Sequence, residues 1–85
     1  MTTHTIRILF FAAARERCGL SEELFSFTSP CTLLHVQSYL FEKYPSLEEL
    51  KPYLKWAINE SFQSNINTVL NNHDIVAIIP PISGG

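Results

Sequence analysis

Residues 74–85 read Asp-Ile-Val-Ala-Ile-Ile-Pro-Pro-Ile-Ser-Gly-Gly, and this ending decides how the rest of the chain must be arranged. Asp74 to Ile79 is the clearest strand in the sequence, with Ile75, Ala77 and Ile79 on one face and Val76 and Ile78 on the other. Pro80 and Pro81 follow at once; they lock φ and lack N–H donors, so they end the strand and stiffen its exit. Beyond them lie Ile82, Ser83, Gly84 and Gly85. Glycine has no Cβ, so an extended Gly-Gly threads a narrow channel and lets another molecule approach its backbone. Fully extended, residues 80–85 reach at most about 20–22 Å. The expected organisation is a domain over residues 1–79 and an extended tail over 80–85, a stiff-based arm with a carboxylate at its tip.

Working outward, Asn71-Asn72-His73 is a turn by composition. Lys55 to Ser61 reads as a strand, and Phe62 to Leu70 shows no pattern clearer than a turn and a short strand. At the other end, Thr5 to Phe11 is rich in β-branched and aromatic residues and reads as the first strand. Its alternation separates Ile6, Ile8 and Phe10 from Arg7, Leu9 and Phe11. The first and last strands are thus apolar on both faces, as in a central strand or one whose outer face is covered by something else. Ala12 to Arg17 favours a short helical turn that Gly19 ends. Glu22 to Thr28 alternates again, with Leu24 opposite Phe25 and Phe27, and reads as the second strand of a hairpin with a long connection.

Thr32 is placed to cap a helix over Leu33 to Tyr44, in which Leu33, Val36 and Leu40 fall at helical spacing and Pro45 is the stop. Ser46 to Tyr53 predicts a second short helix, with Ser46 as cap and Glu49 three residues later. The fold class is therefore α+β: a mixed four- to five-stranded sheet packed on one main helix.

The totals exclude several functions. The chain has 85 residues, net charge −2 and a pI near 5.8, with no cluster of Lys and Arg to serve nucleic acid or an anionic membrane. Its longest apolar run, residues 75–82, is far short of a membrane span. Cys18 and Cys31 form no Cys-x-x-Cys pair and no zinc spacing, so no metal is expected; they read as free thiols of a reducing cytosol. His4, His35 and His73 have no visible metal partners and read as ordinary histidines.

These features together resemble the small-subunit family of molybdopterin synthase, the sulfur carriers of molybdenum-cofactor biosynthesis. The resemblance runs from Ile6 to Gly85 and is most specific over residues 74–85. Ile8-Leu9-Phe10-Phe11-Ala12 with Arg15-Glu16 is similar to the family's first strand and short helix, and Ala57-Ile58-Asn59-Glu60 to its third strand. The family's fold is the ubiquitin-like β-grasp. The resemblance implies that an ATP-dependent activating enzyme adenylates the Gly85 carboxylate and a sulfur donor converts it to a thiocarboxylate. That sulfur is then given to cyclic pyranopterin monophosphate inside a large subunit, in a heterotetramer of two small and two large subunits. No cofactor is expected to stay bound; ATP belongs to the activating enzyme. Pro80, Pro81, Ile82, Ser83 and Gly84 are implied to thread the partner's channel. Phe11, Phe62 and Ile79 match positions that contact partners. The family usually has Asp-Gly-Asp before the last strand, where this chain has Asn72-His73-Asp74; if that turn needs φ > 0 at position 73, His suits it less well than Gly. A thiamine-type sulfur carrier, a ubiquitin-like modifier joined to lysines, and an inert interaction module are the rival readings.

Overall fold

A computed structural model describes residues 3–28 and 30–81. Five strands form one sheet: β1 (His4–Phe10), β2 (Glu22–Phe27), β3 (Lys55–Ile58), β4 (Ser61–Phe62) and β5 (Ile75–Ile79), in the order β2-β1-β5-β3-β4. The two doubly apolar strands, β1 and β5, both lie inside the sheet, as β3 does, and run parallel to each other, while β2, β3 and β4 pair antiparallel with their neighbours. Helix α1 (Ala12–Cys18) links β1 to β2, and helix α2 (Leu33–Lys43) with a 3-10 helix over Pro45–Tyr53 links β2 to β3. This is the β-grasp arrangement, with strand and helix order as expected.

The core lies on one side of the sheet. Ile6, Ile8, Phe10, Val76 and Ile78 point into it from the strands, and Leu33, Val36 and Leu40 from α2. Each such fully buried aliphatic side chain contributes about 1.5–3 kcal/mol. Gly19 ends α1 in the left-handed conformation (φ 77°) that its missing Cβ permits. At the start of α2, Thr32 is the cap and its N–H donates to His35 Nδ1 at 2.9 Å. Leu33 and Leu34 N–H donate to the Thr68 and Ile66 carbonyls at 3.0 and 2.9 Å. Residues 65–68, silent in sequence, thus satisfy helix donors that have no partner within the helix.

Two expectations are corrected. Residues 55–61 are not one strand: Asn59 (φ 51°) and Glu60 (φ 72°) are both left-handed, and they fold β3 back onto β4 through a two-residue turn with Ile58 opposite Ser61. Positive φ at both central positions is the geometry whose twist matches a hairpin. Ser46 is not a cap either. The 3-10 helix starts at Pro45 with Tyr44 as its cap residue. Ser46 is engaged in tertiary contact instead: its hydroxyl donates to the Arg17 carbonyl at 3.2 Å, and the Arg17 guanidinium donates to the Ser46 carbonyl at 2.9 Å. Pro52 lies inside this helix, and the buried Leu47 ties it to the core.

Candidate functional site

The root of the tail is set by β5. Its inward positions, Val76 and Ile78, are fully buried, and Pro80 continues that alternation and is buried too. Pro81 is exposed. The two prolines therefore differ in setting: Pro80 packs the end of the strand onto the body, and Pro81 lies on the surface. Ile82, Ser83 and Gly84, expected to thread a channel, and Gly85, expected to carry the chemistry, lie outside the described residues.

The helices cover one face of the sheet, and the register shows what the other face presents. Leu9 pairs with Ala77, Ala77 with Ala57, and Ala57 with Phe62, so these four form one row across four strands. One step closer to the tail, Lys55 pairs with Ile79. On the far side of Ile79, Phe11 follows β1, and its N–H donates to the Ile78 carbonyl at 3.2 Å. Ile79 is half-buried, whereas Phe11 and Phe62 are 44% and 67% exposed. The three residues matched to partner contacts thus share one uncovered face, beside the point where the tail leaves.

Backbone strain sits next to this row. Ala12 has φ 48°, a left-handed conformation costing an L-residue with a Cβ roughly 1–2 kcal/mol, and it is where the chain turns from β1 into α1 directly after Phe11. Two neighbours on the face were not singled out from sequence. Leu24 is 63% exposed and pairs with Arg7, although the alternation of β2 had already set it opposite Phe25 and Phe27. Lys55 places its Nζ 5.8 Å from the Phe62 ring centroid. Arg7 and Glu22 form an ion pair at 3.4 Å, with both side chains about half exposed.

The remaining titratable groups lie elsewhere. Glu23 points to the helical side, where Tyr39, Tyr44 and Lys43 all donate to its carboxylate. Burial pushes this carboxyl up, but the three hydrogen bonds and the Lys43 charge outweigh burial and hold it below the usual range. Burial, with Glu23 nearby, pushes the Cys18 thiol up to about 11; burial also raises Cys31. Both thiols are free, as expected, and stay protonated at neutral pH, which suits neither nucleophilic attack nor metal ligation. Among the described residues no three His, Cys, Asp or Glu side chains are grouped to hold a metal, and no helix is long and apolar enough to cross a membrane. An open groove of about 480 Å³ runs beside β4, lined by Gln37, Trp56, Lys55 and Phe62 among others.

Comparison with known proteins places this geometry. The model of the ThiS family matches residues 8–85. A molybdopterin synthase sulfur carrier subunit of Arabidopsis thaliana is 38% identical over 80 residues, covering 94% of this chain and 82% of the relative. Among solved structures, a complex of subunits 1 and 2 of the molybdopterin-converting factor from Helicobacter pylori contains a chain that matches with TM-score 0.68 and 25% identity, covering 95% of this chain and 99% of that one. The small archaeal modifier protein 1 of Methanosarcina acetivorans superposes with TM-score 0.79 at 24% identity over 100% of both chains, a likeness of fold.

Proposed function

The chain belongs to the ThiS family, and from that premise we propose that it is the sulfur carrier subunit of a molybdopterin synthase, acting through Gly85. The observation that carries the reading is the placement of Phe11, Ile79 and Phe62 on the uncovered sheet face, beside the Pro80–Pro81 exit of β5. A face of this kind docks a partner while the adjoining tail enters its active site.

In the proposed reaction the Gly85 carboxylate attacks the α-phosphorus of ATP on the activating enzyme, releasing pyrophosphate. Adenylation supplies the leaving group that a carboxylate lacks. A sulfur donor displaces AMP and leaves a thiocarboxylate. Inside the large subunit this sulfur attacks a side-chain carbon of cyclic pyranopterin monophosphate and displaces the oxygen substituent there, and water cleaves the resulting acyl–sulfur bond, returning the carboxylate. Two such transfers complete the dithiolene. This chain supplies the sulfur and the docking surface; catalytic side chains and the pterin site belong to the large subunit, in a proposed assembly of two small and two large subunits. The raised thiols support a sulfur carried at the C-terminus rather than as a cysteine persulfide. A reducing cytosol is the proposed compartment.

Intact-protein mass spectrometry after incubation with an activating enzyme, ATP and a sulfur donor tests this. The expected product has one oxygen exchanged for sulfur, mapped to the C-terminal peptide; deletion of Gly85 abolishes sulfur transfer and leaves the melting curve unchanged. Conjugates to target lysines without any thiocarboxylate are the outcome expected of a modifier instead.

A further inference from the structure

The chain has six basic residues, and four of them are engaged within the fold: Arg7 with Glu22, Arg17 with Glu49, Lys43 with Glu23 and Lys51 with Glu48. Lys55 makes no ion pair among the described residues. It opens β3 on the uncovered face, in register with Ile79, the residue directly before Pro80. Its ammonium lies 5.8 Å from the Phe62 ring centroid, and both side chains are exposed. The negative face of an aromatic ring attracts a cation placed over it. Such a seat limits the wandering of the four-carbon stem while leaving the ammonium open to an anion from outside.

The rest of the molecule sharpens the point. With a net charge of −2, the chain has no general attraction for an acidic surface, so a local cation must supply any that the docking face has. Lys55 adjoins the face that carries Phe11, Ile79 and Phe62, where a charge stays at the rim of the contact and keeps its hydration until the partner arrives. We propose that Lys55, seated on Phe62, is the charge-reading contact of the docking face. It meets a carboxylate that the large subunit presents beside the pocket for Phe62, and this pair sets the rate and register of docking. The inference rests on the large-subunit partner proposed above.

Association of the full chain with the purified large subunit, followed by stopped flow at low and high salt, tests it. Lys55→Glu is expected to slow association about tenfold at low salt, because a rim charge acts on the association rate and its salt dependence. The difference shrinks at high salt, where exposed charges are screened. Lys55→Arg retains wild-type association, and Lys55→Gln falls between. Melting curves for all three should overlie the wild type, since the side chain is exposed. Wild-type binding with an unchanged rate for Lys55→Glu overturns the inference and leaves the functional reading standing. No binding by the wild type overturns both.

Discussion

Glu23 is the residue whose surroundings depart furthest from its type. Its side chain is 10% exposed, yet it stays ionised because two tyrosine hydroxyls and the Lys43 ammonium, at 3.0 Å, converge on it. The tyrosine hydroxyls are held in their neutral form, with Tyr44 pushed up to about 12 by burial and its bond to Glu23. Burial raises the Glu23 carboxyl, but the bonds it accepts prevail, so its folded value lies below the ordinary 4.5. The stability it contributes is therefore complete above that ordinary value and is lost as pH falls through the folded one. Glu23→Gln is expected to lose about 1–3 kcal/mol at pH 7, and to show a flatter decline of stability in acid than the wild type when both are unfolded in urea from pH 3 to 7.

At the scale of elements, two turns place β5. Asn59 holds the hairpin to the strand: its side-chain amide donates to the Asp74 carboxylate at 2.9 Å, and its carbonyl oxygen accepts the Ile75 N–H at 2.9 Å. The turn before β5 is tied to β1, with the His73 N–H donating to the Thr5 carbonyl at 2.8 Å and the Thr5 N–H donating to the Asn72 side chain at 2.7 Å. His73 sits at φ 72°, the left-handed geometry in question when His replaces the family's usual Gly. Relief of that strain, roughly 1–2 kcal/mol, exceeds the added chain entropy of a glycine. His73→Gly is thus expected to stabilise the fold by about 0.5–1 kcal/mol, seen as a higher denaturant midpoint with an unchanged slope.

The whole molecule divides its labour between two faces of one sheet. The helical face holds the core, while the open face carries the exposed Phe11, Leu24 and Phe62 with the half-buried Ile79 and, under the proposed function, is the face that docks. Substitution on the open face should separate the two. Phe62→Ser is expected to change unfolding free energy by less than about 0.5 kcal/mol. The same change should weaken large-subunit binding by about 2 kcal/mol or more, measured by titration calorimetry, because buried aromatic anchors dominate interfaces.

The sequence by itself determined the periodic elements and the ending. The alternation in residues 5–11 and 74–79, the helical spacing of Leu33, Val36 and Leu40, and the Pro-Pro exit with its Gly-Gly tip are all local patterns, and local patterns follow from backbone geometry. From these patterns came the fold class; the expected interface residues came only from the resemblance that the ending and the first strand bear to a known family. Tertiary structure alone decided how distant pieces complete one another. The break at Asn59–Glu60 follows from strand pairing that overrides an extended-looking run, and the diversion of Ser46 from cap to Arg17 partner depends on α1 lying alongside. The loop carbonyls on α2 and the seat of Lys55 on Phe62 likewise join residues that only pairing and packing bring together. A single chain's pattern records which way each side chain faces, but what it meets there depends on the register between strands.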